Sequence, residues 1–306
     1  MTATRSFQDL AEVVIAGYSG RDNTFRNRLQ FWISHFGDRN VAELTTEDIE
    51  DGIDALVARG KFRVRTTRDA NNPKKAVSTL EATGQPLSPA TINRYVACLG
   101  TLFRELRRMR LLPRGFANPM RGVQRQVEGP GRTLSVTVDD VKRLVAACRV
   151  SRNSKLPAMV AFACTTGWRL GTMQSMRWAD LDLVEGIADA PRTKNGTPHR
   201  TVLLPWVVSE LKRIQPALSQ PGDLVFGKKD FRKAWITALH RADLPNEWTF
   251  HHCRHIAASI LAQSGASVVT IMQCLNHKTP LMAMRYSHLN VDSLRSSVDK
   301  AWATSS

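Results

Sequence analysis

The sequence predicts a mainly α-helical chain of two domains, with a small β-sheet or hairpin in the C-terminal one. Three observations carry that reading. The chain has 306 residues, which at about 150 residues per domain divides into two. Apolar residues recur at steps of three and four along most of it, the period of helices that bury one face. A single Asn-Gly pair, Asn195-Gly196, lies between two short apolar runs, a strong signal for a tight hairpin turn.

Taken in order, Asn23 to His35 and Thr46 to Ala58 read as helices, making the first part a small helical bundle. The clearest helix of that half starts at Ser88-Pro89, a capping residue followed by proline at the first helical position. Ile92, Val96, Leu99, Phe103 and Leu106 follow at steps of 4, 3, 4 and 3, one buried stripe. Arg94, Arg104 and Arg108 fall on the opposite side. That face is either simply solvated or laid along phosphates. Between the second and third helices runs a basic insertion, about 60–87, carrying Lys61, Arg63, Arg65, Arg68, Lys74 and Lys75. Connections of this length are usually functional or disordered, so disorder, a small hairpin and a DNA-contacting arm all stay open.

Gly129-Pro130-Gly131 breaks the pattern. We place a linker at 129–133, a helical domain at 1–128 before it and a second domain at 134–306 after it, with a tail at 290–306. Thr137 caps the next helix, whose stripe is Val141, Leu144, Val145 and Cys148. An apolar helix from Leu156 to Cys164 follows, and the strand-like runs Gly186 to Ala190 and Arg200 to Leu204 flank the hairpin turn.

Composition narrows the partners. Apolar residues make up 42% and charged residues 23%, ordinary globular usage that excludes a wholly disordered chain. The 43 Lys and Arg against 27 Asp and Glu leave a net charge of +16, which points to a polyanion such as nucleic acid. A membrane is not the expected partner, because no run approaches the roughly 18 apolar residues of a spanning helix, and residues 1–10 do not read as a secretory signal. Five cysteines with no CxxC spacing argue for reduced thiols and a cytoplasmic, nucleoid-associated setting.

Three clusters in the second domain have spacings that solvation does not explain. Arg169 stands in Thr166-Gly167-Trp168-Arg169-Leu170 between apolar helices, and a buried guanidinium needs an anion. That anion is either a carboxylate such as Asp180 or Asp182, or a phosphate from a ligand. His251 and Arg254 in Phe250-His251-His252-Cys253-Arg254-His255 share a helix face, so one anion can accept from both. His251 and His255 have metal-ligand spacing, but no HExxH glutamate or third ligand accompanies them; a helix-capping cluster is the alternative, and no metal is expected. His277 in Leu275-Asn276-His277-Lys278 precedes Tyr286, in Arg285-Tyr286-Ser287-His288-Leu289, by nine residues.

As an ordered set these residues resemble the tyrosine site-specific recombinases, the phage integrase family. Thr166, Gly167, Trp168 and Arg169 resemble its first arginine motif, and Lys194 its hairpin lysine. His251, Arg254 and His255 resemble its HxLRH box, Leu275, Asn276 and His277 its LGH box, and Tyr286 its nucleophile. The resemblance implies a two-domain DNA clamp, a helical core-binding domain joined to an α+β catalytic domain. It implies cutting and rejoining of DNA through a 3′-phosphotyrosyl intermediate without metal, ATP or another cofactor. Arg169 and Arg254 would neutralise the phosphate, Tyr286 attack, His251 accept its proton, His277 donate to phosphate and Lys194 protonate the leaving oxygen. The implied partners are double-stranded DNA bearing recombination sites and a homotetramer on two such sites, with accessory DNA-bending factors left open. A type IB topoisomerase and a silent DNA-binding protein of the same fold are the alternatives. The short lead before the first helices leaves little room for an arm-binding domain, which favours a simpler recombinase. Two positions depart from the family pattern. Thr172 stands where a carboxylate is usual, and Asn276 replaces a glycine.

Overall fold

Ser6 accepts a hydrogen bond from Asp9 N and so opens helix α1, Phe7–Gly17. No helix is expected from the sequence before Asn23, yet α1 forms and buries Phe7, Leu10, Ala11 and Val14. Helices α2, Phe25–Phe36, and α3, Thr46–Arg59, follow, the latter started by a capping box between Thr45 and Asp48. Helix α4, Pro89–Arg108, is capped by Ser88 and buries Ile92, Val96, Leu99, Phe103 and Leu106 along with Cys98 and Leu102. Trp32, fully buried, donates from Nε1 to the Tyr95 carbonyl at 3.0 Å, which ties α2 to α4. These helices belong to one of two units into which this computed structural model divides, Met1–Gly129 and Pro130–Ser306. The structure describes residues 5–20, 22–68, 76–129, 134, 136–191, 196–286, 295, 298, 299 and 302. Most of the expected linker and of the tail at 290–306, together with Lys194, therefore lie outside the described residues.

The basic insertion forms an antiparallel hairpin of β1, Phe62–Arg68, and β2, Ala76–Ala82. Its register puts Phe62, Val64 and Leu80 on one face and Arg63, Arg65 and Glu81 on the other. Glu81 pairs with both arginines. At the end of the unit, the buried Asn93 side chain bonds to both backbone groups of Gln126 and to the Glu128 carboxylate, which fixes the returning segment to α4.

In the second unit the capping box of Thr137 and Asp140 starts α5, Val138–Arg149. Helix α6, Leu156–Thr166, is buried on almost all sides and is the centre of the core. After α7, Leu170–Ser175, three short antiparallel strands form a sheet in the order β3, Leu181–Asp182, β4, Ile187–Ala190, and β5, His199–Val202. Only the last two are expected from the sequence, because β3 is too short to show an alternating pattern. Helices α8, Pro205–Ile214, α9, Arg232–Arg241, α10, His252–Gln263, α11, Val268–Leu275, and α12, Pro280–Met284, complete the unit. No helix among the described residues is long and apolar enough to cross a membrane.

Gly167 ends α6 in the left-handed region at φ 64°. A Cβ there would strike the Leu275 side chain and approach Ala257 Cβ at 3.3 Å. Gly167→Ala is therefore expected to lower the stability of the second unit by about 1–3 kcal/mol, read as a shift in denaturation midpoint.

Candidate active site

The site is built on the end of α6 and the start of α10. Leaving the helix at Gly167 turns the chain so that Trp168 enters the core and Arg169, in extended backbone, precedes α7. Arg254, in the first turn of α10, is 6% exposed and donates from Nη1 to the Gly167 carbonyl at 2.7 Å. Its other terminal nitrogen, Nη2, is buried without a protein partner. Desolvation, then the charge of Arg169, lowers Arg254 to about 10. Neither Asp180 nor Asp182 supplies the anion considered for Arg169. Asp180 accepts from Arg177 N, and Asp182 from the backbone of Val184 and Glu185.

His277 follows the end of α11. Helix α11 ends with Asn276 in the left-handed conformation, φ 49° and ψ 55°, one that Asn tolerates better than most residues. This left-handed turn carries the chain to His277, whose Nδ1 is buried without a protein partner, as are Asn276 Nδ2 and Trp168 Nε1. Burial, then the charges of Arg254 and Arg169, pushes His277 down to about 4. It is therefore neutral at pH 7.

Tyr286 is 7% exposed and packs with Ala257, Ala258, Ile271 and Leu275. Its hydroxyl lies 2.6 Å from Nδ1 of His255. Burial, then the neighbouring His251 and His252, lowers His255 to about 4. The imidazole is thus neutral, and with the phenol donating, Nδ1 is the acceptor. Burial raises the Tyr286 phenol above its ordinary value, opposed by Arg285 and Arg254. His251 stands more exposed just before α10, its ring 5.4 Å from that of His255. Its pKa is lowered by desolvation, then by Arg254. His252 is a local staple, with Nδ1 accepting from Thr249 N at 2.9 Å.

Arg169, His251, Arg254, His277 and Tyr286 thus come together, linked by the fields of Arg169 and Arg254. The residue on the Tyr286 hydroxyl is His255, which the sequence reading quotes in its motif without giving it a role. Arg94, Arg104 and Arg108 are exposed on α4, as are Lys61, Arg63 and Arg65 at the hairpin. Glu105 pairs with Arg104 at 3.8 Å and Arg108 at 2.8 Å. Among the described residues no three His, Cys, Asp or Glu side chains are grouped to hold a metal.

The profile of the phage integrase family matches residues 135–292. The chain belongs to that family of tyrosine recombinases. It is 28% identical over 264 residues to the shufflon-specific DNA recombinase of Escherichia coli, an alignment that covers 85% of this chain and 62% of that protein. It is 27% identical over 220 residues to the integrase of Haemophilus phage HP1, covering 70% and 60%. The chain thus spans about three-fifths of the length of these two relatives. The Tn1549 transposon integrase, solved in complex with transposon right end DNA, superposes with a TM-score of 0.70 over 98% of this chain and 100% of that one, at 16% identity. At that identity the likeness is one of fold.

His255 and His277, both lowered to about 4, make stability pH-dependent. An unfolded imidazole titrates near 6.5, so between 6.5 and about 4 the unfolded chain binds the extra protons. Stability present above pH 6.5 is lost as pH falls toward 4. Thermal melts from pH 7 to pH 4 are expected to show a falling Tm, with a shallower decline in His277→Gln.

Proposed function

We propose that the chain is a site-specific recombinase that cuts and rejoins DNA strands through a 3′-phosphotyrosyl intermediate. The observation that carries this reading is the buried guanidinium of Arg254, with one nitrogen unpartnered, in the same pocket as a tyrosine whose hydroxyl is already given to a neutral histidine. A phosphodiester resists nucleophiles because its oxygens are anionic. Arg169 and Arg254 offset that charge, increasingly so as it grows in the pentavalent transition state.

Tyr286 Oη forms the bond to phosphorus as the bond to the 5′-oxygen breaks. The phenol proton passes to a histidine. The hydrogen bond favours His255 as first acceptor over His251, where the motif put it, and leaves His251 beside His277 as a donor to phosphate. Lys194 gives the 5′-oxygen its proton as general acid. The phosphotyrosyl link keeps the energy of the broken bond, so a 5′-hydroxyl from a partner strand can reverse the step without a cofactor. Positioning falls to other charges. Arg94, Arg104 and Arg108 on α4 and Lys61, Arg63 and Arg65 at the hairpin track phosphates. The assembly we propose is a homotetramer on two sites in the cytoplasm, with the helical core-binding part at 1–128 and the catalytic part at 134–306.

The test is to incubate the protein with fragmented DNA and recover protein-linked strands. Wild type is expected to form an adduct that Tyr286→Phe abolishes while DNA binding persists. No adduct from wild type on any fraction overturns the proposal, and relaxation of plasmids that lack the recovered site as fast as those that carry it would make the protein a topoisomerase. Arg254→Ala should slow adduct formation by about 100 to 1000-fold, by analogy with the loss of an oxyanion donor. Replacing Arg94, Arg104 and Arg108 with Gln should instead flatten the salt dependence of binding, by about 0.9 in log–log slope per lost phosphate contact.

A further inference from the structure

Among the described residues, five buried side-chain nitrogen or oxygen atoms have no hydrogen-bond partner, and four of them belong to Trp168, Arg254, Asn276 and His277. Native interiors leave few such atoms, so four on neighbouring segments call for an explanation. The segments meet at Gly167. Its carbonyl accepts from Arg254 Nη1, a Cβ on it would strike the side chain of Leu275, which precedes Asn276, and Trp168 follows it in the chain. Three of the four atoms, Trp168 Nε1, Arg254 Nη2 and Asn276 Nδ2, can only donate. Leaving a donor buried and unpaired is costly, and what satisfies several donors at once is a group rich in acceptors.

Arg254 and His277 already have a phosphate to bind on the proposed reading, and the Trp168 indole packs against Phe162 and His199. Asn276 has no such assignment. It ends α11 in the left-handed region, and two bonds from the β5 side hold that turn. His199 Nε2 donates to the Gln273 carbonyl at 3.1 Å, and Thr197 Oγ1 donates to Asn276 Oδ1 at 3.4 Å. With Oδ1 committed to Thr197, Nδ2 is the unpaired end of the same planar amide, one residue before His277. The charges of Arg254 and Arg169 act on His277, so this turn borders the cationic pocket.

We propose that Asn276 is a further catalytic residue, whose Nδ2 donates to a non-bridging oxygen of the scissile phosphate alongside Arg254 and His277. A glycine at this position, as in the family pattern, offers no such donor. Asparagine supplies one while still accepting the left-handed backbone that most side chains resist. The amide adds a hydrogen bond without adding a charge. Because the oxygen it meets gains charge during attack, the bond strengthens in the transition state.

This inference rests on the strand-cleavage reading, and the experiment keeps the two apart. Nicked DNA carrying the site recovered from the adduct is made with an ordinary scissile phosphate and with each of the two phosphorothioate diastereomers, in which sulfur, a weak acceptor, replaces one non-bridging oxygen. Adduct formation by wild type on the ordinary phosphate tests the cleavage reading, and its absence removes that reading and this inference together. Where wild type forms the adduct, Asn276→Gly tests the inference alone, because glycine keeps the left-handed turn and lacks the amide. It is expected to slow adduct formation on the ordinary phosphate by about 10 to 100-fold, the range for a hydrogen bond to a charged group. On one diastereomer the loss should fall to within about threefold, because the bond is already weakened there, while on the other it persists. Asn276→Asp keeps the shape and an oxygen for Thr197 but has no N–H, so it should be at least as slow as Asn276→Gly. A purely structural role through Thr197 would instead leave Asn276→Asp near wild type. No slowing on the ordinary phosphate, the same loss on all three substrates, or a near-wild-type Asn276→Asp would each overturn the proposal. If Asn276→Gly melts well below wild type, the test passes to Asn276→Asp on the ordinary phosphate, where a rate within about threefold of wild type overturns it.

Discussion

Arg254 holds the site together through one bond, the donation from its guanidinium to the Gly167 carbonyl. A guanidinium on a residue only 6% exposed is costly to bury unless its nitrogens find partners. The carbonyl of a left-handed helix end is a fitting partner, because the last carbonyls of α6 have no partners within the helix. That bond ties α10, which carries His255, to the end of α6, where the two helices also share a hydrophobic core. It also leaves one nitrogen free for an anion from outside the protein.

The same arrangement explains why the pocket's histidines are neutral. Burial strips the charged imidazole of water, and nearby positive groups disfavour it further, His251 and His252 at His255 and the two arginines at His277. His255 and His277 therefore titrate far below the usual imidazole range. A neutral His255 can accept the tyrosine proton, whereas a charged one cannot. On the proposed reading a phosphodiester would bring one negative charge, shared by its two non-bridging oxygens and growing toward the transition state, which partly offsets the arginines and makes it easier for a histidine to hold that proton during attack.

How much of this was legible in the sequence varied with the kind of interaction. Helices announced by a cap and a stripe, such as those behind Ser88 and Thr137, form with those caps in place. Helix α1 carries the same signals in Ser6, Phe7, Leu10 and Val14, but part of its buried face is the small Ala11, which weakens the stripe. The insertion hairpin was one of three open alternatives. Its alternation is partly hidden because Val64 and Leu80 face solvent, at 65% and 72% exposure, and do not face a core. Arg169, Arg254, His277 and Tyr286 could be picked out because their order and spacing form a pattern. The His255 to Tyr286 and His199 to Gln273 contacts could not, since they join residues 31 and 74 positions apart. Burial and distance of that kind arise only once α6, α10 and α11 have packed.

The +16 charge divides into two kinds on this account. Most of it lies on exposed arginines and lysines, which on the proposed reading position the protein on DNA, while Arg169 and Arg254 would face one phosphate. Mass spectrometry of the nuclease-trimmed protein–DNA adduct tests that division most directly. The account predicts a nucleotide joined through its 3′-phosphate to Tyr286, with the freed strand ending in a 5′-hydroxyl. Attachment at any other residue, or through a 5′-phosphate, would contradict it.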